Sequence, residues 1–161
     1  MKRDGRIFQI NCSQGGVPKL AVSEAVLTRL GLEGDSVAHP DIHGGPERAI
    51  CLYSLEQIQK LQQEGHPIFP GSAGENLTIE GLDWSLMQPG ARLELGDEVL
   101  IELTSYTSPC QTIAGSFVEG GYKRISQKVN PGESRIYARV LRTGRLTVGQ
   151  RVRVLNGDGD E

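Results

Sequence analysis

The chain has 161 residues, 37% hydrophobic and 23% charged, which fits one globular domain able to bury a core without metal or disulfide staples. Lys and Arg number 17 against 20 Asp and Glu, a formal charge of −3 that argues against broad nucleic-acid binding but leaves room for one small basic pocket. No run nears the roughly 20 apolar residues of a membrane span, and the start MKRDGRIFQI has no apolar core of signal-peptide length.

In chain order, residues 6–11 (RIFQIN) predict a first strand, residues 19–28 one or two strands, and residues 48–54 (RAICLYS) an apolar run of strand length. The clearest helix follows at 55–64. Ser54 and Gln57 make a Ser-x-x-Gln capping box, Leu55, Ile58 and Leu61 form one apolar stripe, and Gly65 and Pro67 stop it. In residues 92–103, Leu93 and Leu95 alternate with charged residues, Gly96-Asp97 turns, and Val99, Ile101 and Leu103 resume the period of two, a hairpin pattern. Residues 135–154 repeat it, with Ile136, Ala138 and Val140 before a turn at Gly149-Gln150 and Val152 and Val154 after it. Short helices are expected after Cys110 and near residue 122. Many short strands and few helices predict a mainly β fold, a closed or nearly closed β-barrel, as a single domain over residues 1–155 with a frayed tail at 156–161.

The three cysteines stand at 12, 51 and 110, with no Cys-x-x-Cys, so neither a zinc ribbon nor a disulfide framework is indicated, and a reducing cytosol is the simplest setting. Cys110 follows a strand and precedes a predicted helix, in TSPCQT. A buried cysteine packing as a small apolar group is the commoner case. A helix N-terminus beside the sulfur would favour a thiolate, the form needed in a nucleophile, a persulfide carrier or a soft-metal ligand. Cys51, inside an apolar run, reads as core packing, and Cys12 as a loop residue.

Other stretches could join it. In HGGPERA, His43, Gly44 and Gly45 form either a plain turn or an anion-binding nest. In GENLTI, Glu75 and Asn76 are unexpected at the start of an apolar strand; Asn76 could meet a heterocycle or cap its own turn. Lys123, Arg124, Arg135 and Arg139 are a basic set that either meets a phosphate or lies on a solvated face; Arg135, Tyr137 and Arg139 would share one strand face.

LGLEGD, HGGPERAICLYS, GENLTIEGLDW, GARLELGDEVLIELTSYTSPC and RISQ…PGESRIYARV occur in an order that resembles the MOSC domain, named for the C-terminal part of molybdenum cofactor sulfurases, in its small stand-alone bacterial form. The resemblance covers about residues 6–154. It implies a β-barrel in the cytosol that works with molybdenum cofactor or sulfur. It implies that Cys110 is the catalytic residue and molybdenum ligand, and that His43, Gly44, Gly45, Glu75, Asn76 and Arg135 bind the molybdopterin cofactor. The function it implies is an oxidoreductase of small substrates; the alternative is a non-enzymatic persulfide carrier or cofactor chaperone. A third reading, from the residues, is an interaction module with a structural Cys110. An electron-transfer or sulfur-donor protein is the implied partner, since no flavin, haem or iron–sulfur motif occurs; nucleic acid and membrane are not expected partners. Pyridoxal phosphate, tied to the sulfurases' separate aminotransferase-like domain, is not expected. The domain that precedes MOSC in larger molybdenum reductases has no counterpart, so the cofactor is expected to be partly exposed or else covered by a partner. Many relatives carry a basic residue after LEGD, where this chain has Ser36, which predicts a weaker or different phosphate contact.

Overall fold

The computed structural model describes residues 2–36 and 44–155; His43, and the tail expected at 156–161, lie outside them. Eleven strands occur among the described residues: β1 (Asp4–Cys12), β2 (Leu20–Val22), β3 (Glu24–Thr28), β4 (Gly31–Leu32), β5 (Ile50–Ser54), β6 (Leu77–Glu80), β7 (Arg92–Leu95), β8 (Val99–Tyr106), β9 (Ile136–Arg142), β10 (Gly144–Thr147) and β11 (Arg151–Val154). Hydrogen bonds run in the order β11-β7-β8-β9-β5-β6-β1, and β11 pairs back onto β1, so seven strands close a barrel. Strand β2 hangs on β1, and β10-β3-β4 form a separate three-stranded sheet. The fold is mainly β, a closed barrel, as the alternating pattern predicts.

Alternation fills the barrel. Ile7, Ile10, Ile50, Leu52, Leu77, Ile79, Leu93, Leu95, Val99, Ile101, Leu103, Ile136, Ala138 and Val152 pack into one buried cluster, consistent with a barrel narrow enough for side chains to fill. The β7–β8 hairpin pairs Arg92 with Glu102 and Leu95 with Val99, and Gly96 takes φ 62 in its loop. The predicted hairpin over 135–154 does not form. Strand β9 pairs with β8 and β5, β10 with β3, and β11 with β1 and β7. The alternation there is real, but Gly144 and Gly149 send each segment to a different neighbour.

All barrel pairings are antiparallel except β5–β6, which runs parallel. A parallel neighbour needs a crossover, and here it carries the single α-helix among the described residues, α1 (Leu55–Gln63). Leu55, Ile58 and Leu61 are its buried stripe. Its C-terminus closes with Gly65 at φ 100, Gly65 N–H donating to Gln62 O and His66 N–H to Leu61 O, the paired bonds of a Schellman end. At its N-terminus Ser54 Oγ accepts from Gln57 N–H at 3.0 Å. The other half of the capping box is absent, because Gln57 Nε2 donates to Glu133 Oε1 at 2.9 Å instead. Strand β5 is buried at all five positions, Ile50 and Leu52 facing the barrel and Tyr53 facing a second cluster with Ile58, Leu61, Ile68, Ile113, Phe117 and Ile125. The segments expected as helices after Cys110 and near residue 122 are short 3₁₀ turns, Gln111–Ser116, Val118–Gly120 and Tyr122–Ile125, rather than α-helices. Arg48, placed in the strand by its sequence, ends the 3₁₀ turn Pro46–Arg48 instead. Cys12 is the last residue of β1, half-buried, not a loop residue. No described helix is long and apolar enough to cross a membrane.

Ser54→Ala removes the one side-chain cap of α1 and should lower unfolding free energy by about 1 kcal/mol. Urea titration checks this; a change below about 0.3 kcal/mol would mean the cap adds nothing to the fold.

Candidate functional site

A cavity of about 370 Å³ opens between the outer face of the β5–β9 wall, the segment leading into β6, the β3–β4 turn and the 3₁₀ turn after Cys110. Its size lies within the range of small-molecule sites. Four residues singled out from sequence meet in it: Gly44, Asn76, Cys110 and Arg135. Gly45 and Glu75 are not among its lining, and His43 lies outside the described residues.

The alternation of β5 and β9 decides which residues face it. Ile50, Leu52, Ile136 and Ala138 point into the barrel, so Cys51 and Tyr137, opposite each other across the strand pair, point out into the cavity. Cys51 is therefore buried, as expected, but it belongs to the cavity wall and not to the barrel core. Its Sγ lies 3.5 Å from Thr107 Oγ1, and burial pushes its thiol up from the ordinary value. Cys110 is half-buried and precedes the six-residue 3₁₀ turn. A 3₁₀ turn this short carries much less dipole than the α-helix expected there.

Arg135 is 5% exposed. Its Nη1 donates to Ala73 O at 2.7 Å, and its Nε is buried with no hydrogen-bond partner among the described residues. No described carboxylate forms an ion pair with it. The segment before it is pinned from several directions. Tyr53 Oη donates to Glu133 O at 2.7 Å, Trp84 Nε1 donates to Ser134 O at 3.0 Å, and the Glu133 carboxylate accepts from Gln57, Lys60 and Arg124. The rest of the basic set is engaged elsewhere, Arg124 with Glu64 and Glu133, and Arg139 with Glu102 and Glu47, while Lys123 is exposed.

Asn76 lines the cavity with its amide fully committed. Its Oδ1 accepts from Cys51 N–H at 3.0 Å, and its Nδ2 donates to Asp35 Oδ2 at 2.8 Å. It ties β5 to the loop after β4, so it positions the wall rather than offering a group to a ligand. Asp35 in turn accepts from Ser13 N–H at 2.9 Å and pairs with the buried Lys19 at 2.7 Å. Lys19 Nζ also donates to Ser36 O at 3.1 Å, so a lysine from the loop just before β2 stands beside the position where relatives were expected to carry a basic residue. Its charge is matched by Asp35. Glu75 turns away. Its Oε2 accepts from Gly71 N–H and Thr78 Oγ1, and its Oε1 is buried without a partner. Burial, the largest cause, pushes its carboxyl above the usual 4.5. Lys19, Asp35, Arg48 and Thr107 also line the cavity and were not picked out from the sequence as site residues.

The fold has counterparts in known proteins. The family model of the MOSC domain matches residues 39–153. This chain belongs to the MOSC domain family. It is similar to protein YflK of Bacillus subtilis, 32% identical over 144 residues that cover 88% of this chain and 63% of YflK. A protein of Gibberella moniliformis named "Reductase" is 28% identical over 129 residues, 78% of this chain and 22% of that protein. The crystal structure of YiiM from Geobacillus stearothermophilus superposes with a TM-score of 0.73 at 25% identity, covering 96% of this chain and 77% of YiiM. The chain thus spans less than two thirds of the curated relatives it matches. The MOSC match spans Gly44, Asn76, Cys110 and Arg135 alike.

The Glu75 carboxyl gives a pH signature. Its folded pKa is raised above 4.5, so the native state keeps its proton to higher pH than the unfolded chain does. Its contribution is fully present below about pH 4.5 and is lost as pH rises through the folded value. Glu75→Gln should melt close to wild type at acid pH and progressively above it as the pH is raised. Melting curves that stay parallel across that range would show that the carboxyl is not held protonated.

Proposed function

We propose that the cavity binds molybdenum cofactor, with Cys110 as the soft ligand to the metal, and that the protein is an oxidoreductase of small substrates. The observation that carries this reading is the meeting, in one cavity, of a half-buried thiol and a buried guanidinium without a carboxylate partner among the described residues. A buried charge without a counter-ion is costly unless a ligand supplies one. Sulfur is a donor suited to a soft metal. A molybdenum-bearing anion satisfies both residues at once, so the donors present fit the group. Membership of the MOSC family and the likeness to a fungal protein named a reductase support the same reading.

When bound, the cofactor would supply two-electron chemistry that no side chain here provides. This chain's own residues would hold and shield it. Arg135 would bind an acidic group of the cofactor, Gly44 would let the backbone approach, and Val17, Leu32 and Ile113 form an apolar wall that excludes water. Asn76 and Asp35 would keep β5 and Cys51 in register behind it. An electron-transfer protein completes the cycle in this proposal. A persulfide carrier needs the same Cys110 thiol, and the second thiol of the cavity, Cys51, favours keeping that reading in view.

Protein purified from a host that makes the cofactor separates the two. Molybdenum and pterin near one per chain support the enzyme reading, and a mass gain of one sulfur, about 32 Da, removed by a reductant, supports the carrier. Cys110→Ser should lose the metal with little change in melting temperature, because a half-exposed position tolerates a hydroxyl while oxygen is a poor soft ligand. Cys51→Ser should keep the metal, and its hydroxyl has Thr107 Oγ1 nearby as a partner. Full molybdenum loading in Cys110→Ser together with a lower melting temperature would make Cys110 a packing residue.

A further inference from the structure

We propose that Arg48 and Arg135 form a two-point anion site, and that the cavity takes small molecules bearing a diphosphate or two acidic groups similarly spaced. This deepens the reading above and rests on the cavity being the ligand site, but not on molybdenum. Three cations, Lys19, Arg48 and Arg135, and one carboxylate, Asp35, line the cavity. Asp35 is taken by Lys19 at 2.7 Å, so no carboxylate of the lining is left to pair with either guanidinium, although the buried Glu75 carboxyl outside the lining acts on Arg135 through space. Arg48 is exposed at the mouth, and its guanidinium stands 5.7 Å from the centroid of the Tyr137 ring, a stacked cation–π arrangement. Its sequence neighbour Glu47 does not compensate it, because Glu47 pairs with Arg139 at 3.5 Å. Arg135 lies at the other end of the same face, buried, with Nε unpartnered.

The spacing follows from the backbone. Arg135 and Tyr137 are two residues apart on an extended segment and face the same cavity, so their side chains leave the chain about 7 Å apart. Arg48 stands over the Tyr137 ring, and Arg135 leaves the chain two residues before that ring on the same cavity face. A single phosphate must draw both guanidinium forks onto one centre, whereas a diphosphate is long enough to present an oxyanion to each where it stands.

Calorimetric titration of the purified protein with inorganic pyrophosphate and with orthophosphate tests the proposal. Wild type should bind pyrophosphate about tenfold or more tighter than orthophosphate, the worth of one charge-assisted contact. Arg48→Ala should bring pyrophosphate down to the orthophosphate level, and Arg48→Lys should recover part of the difference. Arg135→Lys, which keeps the buried charge, should weaken both anions. Arg145→Ala, an exposed residue paired with Glu24, should change neither. Equal affinity for the two anions, no binding of either, or an undiminished pyrophosphate preference in Arg48→Ala would overturn the proposal. Molybdenum content is measured separately, so failure here leaves the cofactor reading standing, and the reverse also holds.

Discussion

Strands β5 and β6 run parallel, and a parallel pair cannot be joined by a tight turn. The chain between them has to leave the barrel wall, cross over and return, and it does so through α1 and the turns that follow. That crossover, with the 3₁₀ turns around Ile113 and Phe117, builds a second apolar layer on the outer face of the wall. The cavity lies beside this layer, and Ile113 belongs to both. A purely antiparallel barrel of the same strands would have had no need of the crossover.

Polar residues then divide into two kinds of labour. Asp35, Lys19 and Asn76 satisfy one another and stitch the loop after β4, the start of β2 and the edge of β5 into one wall. Glu133 does the same for the far side, gathering Gln57, Lys60 and Arg124 around the segment that delivers Arg135. Buried polar networks of this sort hold geometry when every member has a partner. Among the described residues the buried side-chain atoms left without a partner are few, and Arg135 Nε is the one that belongs to a cavity residue.

Alternation made the barrel legible in the sequence. Leu93, Leu95, Val99, Ile101 and Leu103 declare both a strand and the side it buries. The stretch after Arg135 shows the limit: the same alternation is present, yet period alone does not name a partner, and β9, β10 and β11 each go to a different neighbour. The site was half legible. Cys110 and Arg135 stood out by chemistry and by resemblance. Cys51 was read as core because a strand buried on both faces shows no polar phase, so nothing in Ile50–Ser54 tells which side faces the cavity. Lys19 and Asp35 were invisible because their pairing joins residues from separate loops, and Glu75 was misplaced because one step along an extended chain turns a side chain from the cavity to the opposite side.

The double burial of β5 also bears on how such a domain can change over time. Ile50, Leu52 and Tyr53 are each 1% exposed or less, so substitutions along this strand are constrained by packing on one side or the other. Cys51 sits among them and shares that constraint. The mouth is different. Leu30 is 71% exposed in a two-residue turn, and Arg48 projects from a short surface turn. Side chains at the rim can therefore be exchanged without reopening the barrel, whereas any exchange in the thiol-bearing wall disturbs packing on one side or the other.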